Sequence, residues 1–250
     1  REYVANIYFY TKDGHTIMID AGYNYDRLAE KMMWLGINSK DIKEILVTHQ
    51  DTDHVGAIEQ GSDELFKDAT IYIGKVENEY LEGRKHRKVF WGLTTLPQVI
   101  IKNPKILVED GQVFYIGNIK IEAFLVPGHT WGHLVYLVDD CYLFTGDTLW
   151  LGADGGYAFL NTLAEDRKLQ CQSLQRLKEI LVKRNLQLKI ITGHTGWTDD
   201  FAFAFAHIDE ICNSMRRKPK VHDPKAPYDG FDESEDTEEN ARSGYLAQCY

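Results

Sequence analysis

The sequence predicts a layered α/β sandwich, and three observations support this prediction. Short apolar stretches with strand character alternate with segments of helical spacing along roughly residues 4–217. Hairpin-like turns join several of the strands, which favours a layered sandwich over a parallel sheet of the Rossmann type. Histidine and aspartate residues follow the ends of the strands, so polar chemistry is expected at one rim of the sheets.

The first half of the chain alternates strands with one helix. Its predicted elements are, in order, a strand over 4–10, a turn over 12–15, a strand over 16–22, a helix over 25–35 and a strand over 44–48. Gly36 ends the helix, as glycine commonly does after the last helical turn. The strand over 44–48 stops directly before His49, which is the first candidate site residue.

The second half repeats this pattern. Its predicted elements are strands over 116–126, 134–138, 142–145 and 189–192, and helices over 169–183 and 201–215. The helix over 169–183 is amphipathic, because its leucine and isoleucine residues recur at helical spacing on one face. Both halves therefore share one pattern of strands that lead into polar loops.

The composition changes at roughly Lys218, where the chain becomes proline-containing and then acidic. We expect a domain over 1–217 and a solvated tail over 218–250; a tail that binds a partner is the alternative. Much of the net charge of −10 belongs to the tail, because residues 223–240 hold eight acidic residues and one lysine. The remaining chain is nearly neutral, which argues against a nucleic-acid enzyme with a basic surface.

The overall composition is that of a soluble globular protein. Hydrophobic residues make up 44% and charged residues 26% of the chain, and no apolar run approaches the roughly 18 residues that cross a bilayer. Cys141, Cys171, Cys212 and Cys249 form no CxxC pair, so reduced thiols are favoured over a disulfide framework or a thiolate metal site. Since no signal segment is recognisable, we expect a cytoplasmic protein with a small-molecule substrate and no nucleic-acid or membrane partner.

Four side chains with metal-binding chemistry follow strand ends: His49, His129, Asp147 and His194. Strand ends on one side of a sheet form a common rim, where loops can direct several side chains to one point. Imidazole and carboxylate together suit zinc, iron or manganese. A single histidine is more often a packed or surface residue, but four at strand ends favour a shared metal site.

The loop after the strand over 44–48 adds further candidates. It carries His49, Asp51, Asp53 and His54 within six residues. An irregular loop can turn these positions toward one pocket as the next helix begins. The alternative is a polar loop in which Asp53 only caps that helix.

Four segments of the chain resemble the metallo-β-lactamase superfamily, in the order of that family. Residues 48–56 (THQDTDHVG) are similar to its T-H-x-H-x-D-H-x-G signature, and residues 127–133 (PGHTWGH) to its P-G-H-T-x-G-H element. Residues 144–149 (FTGDTL) are similar to F-x-G-D-x-L, and residues 192–194 (TGH) to the final G-H. The resemblance covers roughly residues 4–217, and it implies a four-layer αββα sandwich with metal ions at one edge of its two sheets.

The resemblance also implies a ligand set and a mechanism. The implied ligands are His49, Asp51 and His129 for a first metal ion, Asp53, His54 and His194 for a second, and Asp147 for both. A metal-bound hydroxide is the implied nucleophile, because two cations lower its pKa toward neutrality. Asp53 is the implied catalytic residue, which orients the hydroxide and passes a proton to the leaving group.

Asp51 departs from the family pattern, which usually has histidine at this position. A carboxylate makes the first site harder and more negative, and this shifts its preference toward iron or manganese. The alternative is that Asp51 does not bind metal and that only one ion is held. Two divalent ions, zinc in the first place, remain the expectation.

Two further residues near the motifs are expected to support the ligands. His133 is interpreted as a residue that fixes its loop or contacts a ligand from behind. Asp20, in the segment Ile-Asp-Ala-Gly, resembles an acid that orients a ligand, although ordinary turn chemistry explains it nearly as well.

Two segments, 82–104 and 149–164, are expected to wall the cleft. The first contains a basic run over 84–88, interpreted either as a clamp for an anionic substrate or as the solvated face of a helix. Trp131 and Trp197 are the candidates for an apolar rim, because they lie two and three residues from implied ligands. For Trp91, Trp150 and Tyr157, core packing is a sufficient explanation.

The leading functional hypothesis is a metal-dependent hydrolase that acts on an ester, thioester, lactone or amide. A β-lactamase is disfavoured because no signal segment is recognisable. A thioester hydrolase of the glyoxalase II kind fits the Asp53–His54 pair, but the acidic tail does not resemble its C-terminal domain. The alternatives are an iron-dependent oxidoreductase of the same fold, such as a persulfide dioxygenase or a di-iron protein, and a metal-binding protein without turnover.

Overall fold

The computed structural model describes residues 5–23, 25–61, 65–90, 92–159 and 163–211. In these ranges the strands are β1 Tyr8–Lys12, β2 His15–Ile19, β3 Glu44–Leu46, β4 Thr70–Gly74, β5 Lys88–Val89, β6 Thr94–Thr95, β7 Lys105–Val108, β8 Val113–Ile116, β9 Ile119–Leu125, β10 Leu134–Val138, β11 Tyr142–Phe144, β12 Leu149–Gly152, β13 Gly155–Ala158, β14 Lys189–Ile191, β15 Trp197–Thr198 and β16 His207–Ile211. The helices are α1 Tyr25–Trp34, α2 Thr52–Gly61, α3 Lys75–Leu81, α4 Arg167–Arg184 and α5 Phe201–Ala204.

Two large sheets form the centre of the molecule. The first has the strand order β1-β2-β3-β4-β7, and the second has the order β15-β14-β11-β10-β9-β8. The strands β2, β3, β4 and β7 run parallel, whereas the predicted hairpin of β1 and β2 is antiparallel. The hairpin turns at Asp13 and Gly14, both with positive φ, as tight hairpin turns require.

The core consists of three apolar layers, and their positions define the architecture. Between the two sheets, Ile17 and Ile19 of β2 pack with Tyr136 and Ile191 of the second sheet. Met18 points to the opposite face of β2, because successive side chains of a strand alternate, and packs in the layer of Leu28 and Met32 from α1.

The third apolar layer lies between the second sheet and α4. Leu174, Leu177 and Leu181 of the predicted amphipathic face are buried there against Val135 and Leu137. The order from one side to the other is therefore helices, sheet, sheet and helix, which confirms the four-layer αββα sandwich.

The helix predicted over 201–215 is wrong for most of its length. The helix α5 ends at Ala204, and the chain then forms β16, which pairs in parallel with β13. Phe205 and Ile208 are buried in the third apolar layer, so this burial and the strand pairing outweigh the helical spacing of the segment. Residues 212–215 and the predicted tail over 218–250 lie outside the described residues.

The expectation of four reduced cysteines is also wrong. Cys141 is disulfide-bonded, and Cys171 is a free thiol; Cys212 and Cys249 lie outside the described residues. None of the helices within the described ranges combines the length and the apolar character needed to cross a bilayer.

Candidate metal centre

The seven predicted ligands converge at one edge of the two sheets. Their side-chain donor atoms form two groups, and within each group the atoms lie within 4.8 Å of one another. The first group is His49, Asp51 and His129, and the second is Asp53, His54, Asp147 and His194. These are the two sets that the resemblance implies, with Asp147 in the second set.

The first group is built from the end of β3 and the loop before β10. The Oδ2 atom of Asp51 lies 3.3 Å from Nε2 of His129 and 3.7 Å from Nε2 of His49. All three side chains are buried. The group therefore offers two imidazole nitrogens and one carboxylate oxygen to a common point.

The second group is arranged around the carboxylate of Asp147. Its Oδ1 lies 3.1 Å from Nε2 of His54, and its Oδ2 lies 3.1 Å from Nε2 of His194. The Oδ2 atom of Asp53 lies 3.2 Å from the same nitrogen of His194. Since Oδ2 of Asp147 is also 3.7 Å from Nε2 of His129, this carboxylate stands between the two groups.

Several donor atoms of the two groups are buried without a hydrogen-bond partner in the described part of the chain. They are Nε2 of His49, Nε2 of His54, Nε2 of His129 and Oδ1 of Asp147. Buried polar atoms are normally satisfied, because leaving one unsatisfied costs about 1–3 kcal/mol. Four unsatisfied donor atoms around one point fit cations with nitrogen and oxygen ligands, such as zinc, iron or manganese.

Asp20 holds the ring of His54 from behind, as predicted. Its Oδ2 lies 2.8 Å from Nδ1 of His54 and accepts a hydrogen bond from Oγ1 of Thr48, and its Oδ1 accepts one from the Thr48 amide. A carboxylate at Nδ1 keeps a proton there and fixes the ring, so that Nε2 is the nitrogen turned to the site. His133 also has a supporting role, because its Nε2 accepts a hydrogen bond from the Asp147 amide at 3.1 Å.

The protonation of the site follows from its burial and its charges. Burial lowers the pKa of His49 well below its usual value, which leaves a neutral ring. Burial acts in the same direction on His54, but the facing carboxylates of Asp147 and Asp20 hold its pKa well above the usual value. Against burial, His194 and His54 hold the pKa of Asp147 well below its usual range. The carboxylate of Asp147 and the ring of His54 therefore favour each other's charged forms.

Two glycines allow Asp147 to approach its neighbours. A Cβ atom on Gly193 would clash with Oδ1 of Asp147. Gly146 has a φ of +51°, and a Cβ atom there would lie 2.7 Å from Nε2 of His133 and from Oγ1 of Thr48. Glycine therefore precedes Asp147 and His194 because a larger residue at either position would collide with the side chains of the site.

Arg87 is a site residue that the sequence analysis missed. Its guanidinium is buried and donates from Nε to Oδ1 of Asp51 at 2.8 Å, and from a terminal nitrogen to the carbonyls of His129 and Leu163 at 3.0 and 2.7 Å. Although burial alone would raise it, the pKa of Asp51 is held well below its usual range, chiefly by Arg87. The signal that could have found Arg87 is Asp51 itself, because a buried acid requires a counter-charge.

The basic run over 84–88 is not the solvated face of a helix, and its residues do not act as one unit: Arg87 is turned inward to Asp51, whereas His86 and Lys88 line a cavity. The helix α3 ends at Leu81, before the run begins. Arg84 and Lys85 are exposed and pair with Glu82 and Glu79. The sequence could not separate Arg87 from its neighbours, because only the tertiary fold turns this one side chain inward.

The aromatic rim differs from the prediction. Trp131 is exposed, with 44% of its surface accessible, but Trp197 is buried between the two sheets. Phe159, which the sequence analysis did not single out, lies 5.5 Å from the rings of both His129 and His194. Trp150 stacks on Phe159 with ring centroids 5.0 Å apart, and Trp91 lies outside the described residues.

A cavity of about 560 Å³ shares a wall with the first group. Trp131 and Glu165 line it, and the Glu165 amide donates to the carbonyl of His129 at 3.1 Å. Its basic lining residues are His86, Lys88, Arg167 and Lys168. Its volume is that of an ordinary small-molecule site, and its basic lining suits an anionic group.

Glu77 joins the two loops that carry the first group. It is fully buried, and its two oxygens accept hydrogen bonds from the Gln50 amide at 3.0 Å and the Gly132 amide at 2.7 Å. Burial raises the pKa of Glu77 to about 7. The folded state thus binds a proton at Glu77 that the unfolded chain releases near pH 4.5.

This shift predicts a pH-dependent stability. The stabilisation from protonated Glu77 is complete below about pH 4.5 and is lost as the pH rises toward about 7. Relative to the wild type, Glu77→Gln is therefore expected to gain roughly 2–4 kcal/mol in the free energy of unfolding across that interval. Urea unfolding at several pH values measures it, with the exposed Glu179→Gln as control. Parallel pH curves for Glu77→Gln and the wild type would contradict the assignment.

Comparison with known proteins places this geometry in a family. The family model described as the metallo-beta-lactamase superfamily matches residues 1–212. The protein TTHA1623, solved in a di-iron-bound form, superposes with a TM-score of 0.56 and 26% identity, over 78% of this chain and 89% of that one.

Two curated relatives are similar over most of the chain. One, from Bacillus velezensis, is named a probable polyketide biosynthesis zinc-dependent hydrolase, BaeB; it is 29% identical over 72% of this chain and 67% of its own length. The other, a hydroxyacylglutathione hydrolase from Pelagibacter ubique, is 32% identical over 74% of this chain, which spans 64% of that enzyme. The chain belongs to the metallo-beta-lactamase superfamily.

Proposed function

We propose that this protein is a metal-dependent hydrolase that cleaves a thioester or a related acyl bond. The observation that carries the proposal is the pair of adjacent ligand groups, in which four buried donor atoms have no hydrogen-bond partner in the described part of the chain. Family membership supports an enzyme of this class, and the names of both curated relatives are those of hydrolases.

Two divalent cations, zinc in the first place, would be held by the seven residues of the two groups. When bound, they supply Lewis acidity, which activates water and polarises the acyl carbonyl at neutral pH. Asp20 orients His54, and Asp147 joins the two groups through its two oxygens. The protein's own task is thus to keep the donor atoms fixed and buried.

Asp53 is proposed to handle the proton. Its side chain is the most accessible of the three carboxylates in the two groups, at 28%, and its Oδ2 lies 3.2 Å from Nε2 of His194. A carboxylate at the open side of the site can accept a proton on Oδ2 and pass it to the leaving group. Phe159 packs against the rings of His129 and His194 and covers these two ligands.

The basic side chains that line the cavity are an argument for a substrate whose leaving thiol carries negative charge. Within the described part of the chain, His86, Lys88, Arg167 and Lys168 form no ion pair, whereas Glu165 accepts a bond from the Trp131 amide and Asp166 caps α4. The side chains of Lys88, Arg167 and Lys168 are therefore available to an anionic substrate, and a charge-assisted contact contributes about 1.5–3 kcal/mol. We propose that the substrate is an acyl thioester of an anionic carrier.

Thioester hydrolysis with chelator controls tests the proposal. The protein is expected to release thiol from glutathione and coenzyme A thioesters, to lose this activity after chelation, and to recover it with zinc. For a neutral N-acetylcysteamine thioester, KM is expected to be about tenfold higher, since one charge-assisted contact is worth roughly that factor. Chelator-resistant turnover, or no turnover on esters, thioesters, lactones and amides, would refute a metallo-hydrolase.

Iron is the alternative metal, and the di-iron-bound neighbour favours testing it. Elemental analysis of protein purified without added metal distinguishes the two cases. Predominant iron with a redox-active spectrum would favour the oxidoreductase alternative over a zinc hydrolase. A full metal content with no turnover on any substrate would favour a metal-binding protein instead.

A further inference from the structure

Asp51 divides its two oxygens between two different environments. Its Oδ1 accepts hydrogen bonds from Nε of Arg87 at 2.8 Å and from Nε2 of Gln50 at 2.7 Å. Its Oδ2 faces the ring nitrogens of His49 and His129, and it accepts one longer hydrogen bond, from a terminal nitrogen of Arg87 at 3.3 Å. One oxygen is therefore satisfied by the protein, and the other is turned to the metal site.

Arg87 is itself fixed from several sides. The side chain is 2% exposed, and one terminal nitrogen donates to the carbonyls of His129 and Leu163. Its other terminal nitrogen lies 3.5 Å from Oε1 of Glu165. A guanidinium held in this way offers its donors in a rigid plane, so it fixes the rotation of the Asp51 carboxylate. It also connects Asp51 to the backbone of a second ligand, His129.

The charges of the pair cancel. Relative to a neutral histidine at position 51, the carboxylate adds one negative charge, and Arg87 adds one positive charge at hydrogen-bond distance. Removing one partner of a buried ion pair is strongly destabilising, whereas replacing both by neutral groups is often nearly neutral. We therefore expect a histidine at position 51 to be tolerated only when Arg87 is replaced by a neutral residue at the same time.

On the basis of the proposed metallo-hydrolase function, we infer that Asp51 and Arg87 together replace the second histidine of the family motif. Arg87 is a positioning residue: it makes Asp51 a ligand that presents one oxygen and carries no net excess charge into the site. This offsets part of the shift toward iron or manganese expected from the carboxylate alone. The pair thus removes the excess negative charge, one of the two causes of the expected shift, while the oxygen donor itself is unchanged.

A double-mutant cycle on zinc binding tests the inference. Metal-free wild type, Asp51→His, Arg87→Met and the double variant are titrated with zinc against a chromophoric chelator, and their melting temperatures are recorded without metal. Asp51→His alone leaves an unpaired buried cation beside the site, so its zinc affinity is expected to fall at least about tenfold. The double variant is expected to recover zinc affinity to within a few-fold of the wild type and to melt above both single variants.

Additive losses in the double variant would overturn the inference, because they would mean that Arg87 acts independently of residue 51. Arg184→Met is the matched control: it removes another Arg–carboxylate pair, with Glu122, remote from the ligands. It is expected to lower the melting temperature and leave zinc affinity unchanged.

Arg87→Lys covers the case in which a methionine variant does not fold. Lysine keeps the charge but lacks the planar fork, so zinc affinity is expected to fall several-fold, and unchanged affinity would overturn the positioning role. The zinc titration also separates the two proposals. A wild type that binds zinc without hydrolysing any substrate refutes only the proposed function, whereas a wild type that binds no metal refutes both.

Discussion

Replacing Asp147 with alanine is expected to remove most of the bound metal and to lower kcat/KM by at least about a thousandfold. The carboxylate is buried, and it lies within 3.7 Å of ring nitrogens from His54, His129 and His194. Its carboxylate thus faces both ligand groups. A thousandfold loss corresponds to about 4 kcal/mol of transition-state stabilisation, the order expected when metal-assisted charge stabilisation is lost.

Metal content by elemental analysis and steady-state kinetics on a thioester measure this effect together. Asp147→Asn keeps the shape of the side chain but removes its charge, so it separates loss of packing from loss of the ligand. Asp110→Ala, which removes a carboxylate paired with Arg176 at the surface, is the control and is expected to leave both measurements unchanged. Full metal content in Asp147→Ala would refute the joining role of this residue.

Adding a single methyl group at Gly193 is expected to have the second largest effect. Its Cβ atom would collide with Oδ1 of Asp147 and lie 3.1 Å from Cε1 of His54. The backbone of Gly193 cannot retreat easily, because its amide donates to the Gly146 carbonyl at 2.9 Å and its carbonyl accepts from the Asn6 amide at 2.6 Å. The Asp147 carboxylate must therefore move. A displacement of about 1 Å can cost on the order of a hundredfold in rate, so Gly193→Ala is expected to lose at least that.

Kinetics, metal content and the melting temperature distinguish a displaced ligand from an unfolded protein. Gly152→Ala is the matched control, because its Cβ atom would stop 3.2 Å from the ring of Tyr157, in a strand that carries no ligand. A fully active Gly193→Ala variant with the metal content of the wild type would show that the site is looser than the contacts around Asp147 indicate.

The sequence by itself determined the family, the four layers and the identity of the candidate ligands. Strand periodicity ended at the correct places, so His49, His129, Asp147 and His194 were located at the rim before any coordinates were considered. The family resemblance assigned the seven residues to two sets with Asp147 shared, and the structure brings the same residues together with Asp147 in the second set. Local patterns were sufficient here because His49, His129, Asp147 and His194 each follow, within a few residues, a strand whose apolar pattern is strong.

Only the tertiary structure decided which other residues support the site. The segment after Phe201 has helical spacing, yet pairing with β13 and burial of Phe205 and Ile208 make it a strand. Cys141 forms a disulfide that its sequence spacing did not indicate.

Arg87 illustrates the physical reason for this limit. In the sequence it is one of several consecutive basic residues, and in the fold its guanidinium is buried against Asp51, thirty-six positions away. Apolar periodicity reports how a segment packs against a layer, but it carries no information on which distant charges are brought together. The pairing of Asp51 with Arg87 is therefore a property of the folded chain, because both charges acquire their partner only when the same burial removes water from them.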